Sequence, residues 1–129
     1  VVDSRPLRRA LSGGLLAAAL AAVGCLSPTL PIPPPATPEL TAPDAEGLVK
    51  VSGGAQSVRP YARVMVENYT AATRCPTLST SCATPTVVGG DAASDGSYAV
   101  LINAQHGDLI LVTEQVGSET SDSASAYVP

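Results

Sequence analysis

The sequence predicts an all-β fold, a small antiparallel sandwich, over residues 47–129. Three observations predict it. Apolar and polar residues alternate at period two in residues 61–69 and 97–103, the signature of half-buried strands. Turn-forming groups separate the apolar runs: Gly53-Gly54, Gly89-Gly90-Asp91, Asp95-Gly96, Gly107-Asp108 and Gly117-Ser118. No segment beyond residue 25 sustains a helical period.

From the N-terminus, Arg5, Arg8 and Arg9 form a basic cluster, and residues 11–23 form an uncharged run rich in Leu and Ala. That order is a secretion signal. The run is too short for a bilayer, which needs about 20 apolar residues as a helix. Its end, Ala22-Val23-Gly24-Cys25, resembles the lipobox of bacterial lipoproteins. The resemblance covers residues 1–25 and implies a signal peptide over 1–24, cleavage between Gly24 and Cys25, and a diacylglyceryl thioether on Cys25. Ala22 stands where that family usually carries Leu. An ordinary signal cut after Ala21 would instead leave Cys25 as a plain thiol on a secreted module.

Pro28, Pro31, Pro33, Pro34, Pro35, Pro38 and Pro43 follow. Proline removes backbone donors and fixes φ, so residues 25–46 read as an extended, partly polyproline-II tether. At about 3.1 Å per residue, such a tether holds a domain as far as roughly 65 Å from the membrane. A PxxP ligand is the other reading, since Pro28, Pro31 and Pro34 have that spacing; SH3-type partners are largely absent from this compartment, which favours a spacer.

Within residues 47–129, Ala62, Val64 and Val66 alternate against Arg63, Met65 and Glu67. Tyr98, Val100 and Ile102 alternate against Ser97, Ala99 and Leu101. Residues 109–113 are almost wholly apolar, as expected for a strand covered on both faces or one close to the tether. Residues 48–52, 84–88 and 124–128 are shorter strand candidates. The chain has no Phe or Trp, so Tyr98 is the expected central packing residue, its hydroxyl reaching the edge of the core.

Of three cysteines, assigning Cys25 to lipid leaves Cys75 and Cys82. Outside the cytoplasm thiols oxidise, so a Cys75–Cys82 disulfide is expected, closing a polar loop. A ring that short would remove about 2–3 kcal/mol of unfolded-state entropy. A metal site would need more ligands, and the single histidine, His106, lies far along the chain. A redox pair favours the tighter C-x-x-C spacing.

Ala92-Ala93-Ser94-Asp95-Gly96-Ser97-Tyr98-Ala99-Val100 followed by Gly107-Asp108-Leu109-Ile110 resembles the paired signature of carboxypeptidase-regulatory-like and bacterial Ig-like domains. Gly47-Leu48-Val49-Lys50-Val51-Ser52-Gly53 and Ala62-Arg63-Val64-Met65-Val66 are similar to the first two strands of such modules. The resemblance implies a transthyretin-like or Ig-like sandwich acting as a structural, spacing or adhesive module, without catalysis.

Removing residues 1–24 takes away three of seven basic and one of eleven acidic residues, leaving a net charge near −6. An acidic surface argues against nucleic acid and against anionic lipid heads. Asp91 and Asp95 do not fit a calcium loop, because Ala92, Ala93 and Ser94 supply no alternating oxygen ligands. They read as turn residues, and His106 as a solvated turn histidine. No G-x-S-x-G, phosphate loop or zinc-helix motif occurs. The expectation is therefore a lipid-anchored envelope protein with no catalytic residues, metal or cofactor, contacting an envelope protein or glycan. A second expectation is an accessory or assembly lipoprotein for an envelope machine.

Overall fold

The computed structural model describes residues 30–74 and 86–129. A compact unit spans Pro31–Pro129. Valine dominates its core, and a β-branched side chain is already restricted to the rotamers that a pleated sheet accepts. The period-two runs accordingly form strands, which assemble into two antiparallel sheets.

The first sheet has the order β1-β2-β5, with β1 at Glu39–Leu40, β2 at Leu48–Gly53 and β5 at Tyr98–Asn103. The second contains β4 (Val87–Asp91), β3 (Arg63–Asn68) and β6 (Leu109–Val116) in that order. Two short strands, β7 (Glu119–Thr120) and β8 (Ala124–Tyr127), share the far edge of β6. Register keeps like faces together: Val51 pairs with Val100 in one sheet, and Val66 pairs with Val112 in the other. Val49, Val51, Val100 and Ile102 of the first sheet meet Val64, Val66, Ile110 and Val112 of the second in one core. A slip of one residue would turn each set to solvent.

Part of the proline-rich segment lies within the compact unit. Within residues 31–38, burial falls on Ile32, Pro35 and Pro38, with the positions between them exposed. That period of three is the repeat of a polyproline-II helix, one edge of which lies against the compact unit. The Ala36 amide donates to the Ser57 carbonyl at 2.9 Å, and β1 then pairs with β2, Leu40 opposite Val51. Residues 31–46 lie in the same compact unit as residues 47–129. Proline denies a segment ladder hydrogen bonds but not apolar contact, so its presence does not keep the segment in solvent.

Gly89-Gly90-Asp91, expected to turn, lies in β4 instead. A Cβ on Gly90 would stand 2.8 Å from Val100 Cγ2, so glycine lets the two sheets approach here. The turn falls later, where the Gly96 amide donates to the Ala93 carbonyl at 3.0 Å and Gly96 takes φ +79°. Residues 109–113, expected to be covered on both faces, bury Ile110 and Val112 fully while Leu109, Leu111 and Thr113 are half-buried on the other face. Tyr98 packs centrally as expected, across from Gly53, but its hydroxyl does not reach a partner: it is buried with no hydrogen bond. Burial pushes its pKa up to about 12.

Among the described residues, one short helix, α1 at Tyr69–Arg74, departs from the all-strand expectation. It begins where Asn68, the last residue of β3, caps it by accepting from the Ala71 amide at 2.9 Å.

Candidate binding groove

Gly24, Cys25, Cys75 and Cys82 lie outside the described residues. Among the described residues, no helix is long and apolar enough to cross a membrane. Nor do three His, Cys, Asp or Glu side chains gather there to hold a metal.

The remaining residues singled out from sequence scatter across the unit. Asp91 stands exposed at the end of β4, 4.0 Å from the Arg63 guanidinium. Asp95 caps its own turn: one oxygen accepts from the Ser97 amide at 2.9 Å and from the Ser97 hydroxyl at 2.6 Å. Those bonds hold its carboxyl below the usual carboxylate range. His106 is exposed in the turn before β6.

Asp108 shares that turn and is buried. Its Oδ2 accepts from Asn68 Nδ2 at 2.8 Å and from the Gln105 amide at 3.0 Å, and its Oδ1 pairs with the Arg74 guanidinium. Burial resists ionisation of Asp108, but the bonds from Asn68 and Gln105 and the charge of Arg74 outweigh it, and its pKa lies below the ordinary value. Asn68 also donates to the Asn103 carbonyl at 3.1 Å, and Thr70 Oγ1 accepts from the Leu109 amide at 2.8 Å. These bonds make the cluster a structural joint between α1, β3, β5 and β6.

The more open arrangement lies at the opposite end of β6. Residues 54–62 run beside residues 92–96, joined by Gln56 N–H to Asp95 O at 2.7 Å and Val58 N–H to Gly96 O at 3.2 Å. Two non-glycine residues in this loop adopt left-handed backbone conformations, Gln56 at φ 63° and Tyr61 at φ 59°. Such strain persists where surrounding bonds over-determine it. The docked segment, through Pro33, Pro34 and Ala36, closes the other side of a groove of about 500 Å³ lined also by residues 56–60, Asp95 and Glu114.

Glu114 is the residue that sequence reading missed. It occupies an inward position of β6, in step with Ile110 and Val112, and is 2% exposed. Its Oε2 accepts from the Arg59 amide at 2.8 Å, and its own amide donates to Ser121 Oγ at 3.0 Å. The signal was present in the alternation: a carboxylate two residues beyond a buried valine falls on the core face.

Two antiparallel sheets closed over a valine core, with a polar joint at one end and a carboxylate-lined groove at the other, define an all-β protein. No family model, curated protein or solved structure matches the chain.

Proposed function

We propose that the protein is a lipid-anchored lipoprotein of the bacterial envelope, displaying an Ig-like or transthyretin-like sandwich that binds an envelope protein or glycan. The observation that carries this reading is Ala22-Val23-Gly24-Cys25 at the end of a basic-then-apolar leader. Two or three acyl chains on one residue anchor stably, whereas one chain is marginal, because each buried CH₂ contributes about 0.8 kcal/mol.

Intact mass of the membrane-fraction protein, before and after reduction, tests the reading. The expected result is loss of residues 1–24 with added acyl mass, and a gain of about two mass units on reduction, marking a Cys75–Cys82 bridge. A soluble, unacylated chain cut upstream of Cys25 would sink the anchored reading and leave a secreted module.

A further inference from the structure

We propose that the groove beside Glu114 binds an organic monocation, an alkylammonium or alkylguanidinium group, with the Glu114 carboxylate as its counter-ion. The groove lies wholly within the compact unit, so this proposal is independent of what Cys25 carries.

The first argument is the state of Glu114. It is 2% exposed, yet among the described residues it has no ion-pair partner, and only one of its two carboxylate oxygens accepts a hydrogen bond. An ionised carboxylate offers about four acceptor positions. Among the described residues its second oxygen accepts no bond and is not a buried, unsatisfied atom, which leaves it open to a ligand in the groove that Glu114 lines. Holding the Arg59 amide does not require the charge, because a glutamine carbonyl accepts the same bond. Arg59 itself meets Glu114 through its backbone, not its guanidinium.

The lining supplies the second argument. Pro33, Pro34, Pro60, Ala36 and Val58 give apolar surface on which a short aliphatic stem can lie, and Asp95 adds a second negative charge, which together with Glu114 outweighs the positive charge of Arg59 in the same lining. Apolar walls with one or two convergent polar groups are the usual build of a small-ligand site. A divalent metal needs several oxygen ligands, and among the described residues no third His, Cys, Asp or Glu joins these two. A single positive group on a hydrocarbon stem matches both the charge and the walls. The fixed loop is the third argument: Gln56, strained at φ 63°, lines the groove, so backbone strain is stored at its edge.

Two sources carry this chemistry, a Lys or Arg side chain on a polypeptide and a free alkylamine. The test is an amide-resolved NMR titration of the full chain in a non-ionic detergent. The probes are N-acetyl-lysine methylamide, N-acetyl-arginine methylamide, 1-aminopentane and uncharged N-acetyl-norleucine methylamide. Saturable shifts at Arg59 and Glu114 are expected with one or more cations and not with norleucine. Preference for the amino-acid probes assigns the site to a polypeptide side chain, and preference for the alkylamine assigns it to a free amine. Glu114→Gln, which keeps an acceptor for the Arg59 amide, should weaken binding roughly tenfold or more. Should that variant fold poorly, Ala36→Trp at an exposed lining position should abolish binding by filling the groove. Absence of saturable shifts with every cation overturns the proposal. So does equal binding of norleucine, or binding unchanged in a folded Glu114→Gln or Ala36→Trp.

Discussion

Asn68 and Asp108, 40 positions apart, share a 2.8 Å hydrogen bond that locks the end of β3 to the turn before β6. Asn68 uses the rest of its side chain to cap α1 and to hold the Asn103 carbonyl. Asn68→Ala therefore removes three bonds at once and leaves Asp108 short of a donor in a buried position. The expected loss is about 2–4 kcal/mol, read by denaturant unfolding, because an orphaned buried polar group costs more than the bond it made. A loss below about 1 kcal/mol would mean that Asp108 and the helix find other partners.

The same cluster sets a pH dependence. The folded-state pKa of Asp108 is lowered, so its stabilisation is fully present above the unfolded value of about 3.9 and is lost as pH falls through the folded value. Unfolding midpoints should decline below about pH 4, and Asp108→Asn should flatten that limb of the profile. An unchanged slope in the variant would assign the acid sensitivity elsewhere.

Tyr98 predicts an effect of opposite sign. Its buried hydroxyl has no partner. Tyr98→Phe removes an unsatisfied polar atom while keeping the ring, and should be neutral or stabilise by up to about 1 kcal/mol in thermal unfolding. In absorbance titration, one of the four tyrosines should ionise late, near pH 12, and that step should vanish in the variant.

Gly96 and Gly54 form a contrasting pair. Gly96 sits at φ +79°, and a Cβ there would collide with the Val58 carbonyl oxygen. Gly54 has open space around it and no positive φ. Gly96→Ala should cost about 2 kcal/mol or more, whereas Gly54→Ala should be near neutral, both read by chemical denaturation.

Ile32 separates a docked strap from a free tether. It is 5% exposed. Ile32→Ala should cost about 1–3 kcal/mol, where a solvated tether residue would cost nothing measurable.

How much of this was legible beforehand depends on which interactions carried each element. Strands β2, β3, β5 and β6 were readable because valine and isoleucine alternate on one face, and that local pattern is also what packs them. Strand β1, only two residues long, exists through its pairing with β2, which no local pattern encodes. Helix α1 is capped by the adjacent Asn68 but rests also on the partners of Thr70 and Arg74 in and before β6, which are distant in sequence. The glycines of β4 read as a turn because their reason is the approach of Val100 from the opposite sheet. The groove was hidden for the same cause, since the proline segment, the residue 56–60 loop and Glu114 converge only in three dimensions.

The threefold burial of Ile32, Pro35 and Pro38 has a mechanical consequence. Tension applied at the chain's entry, Leu30, bears first on that seam, then on the two residue pairs of β1, and only afterwards on the six residue pairs joining β2 to β5. Peeling the seam away would also remove the side of the groove formed by Pro33, Pro34 and Ala36. A pull on the N-terminal side of the unit thus dismantles the groove while the valine core still holds.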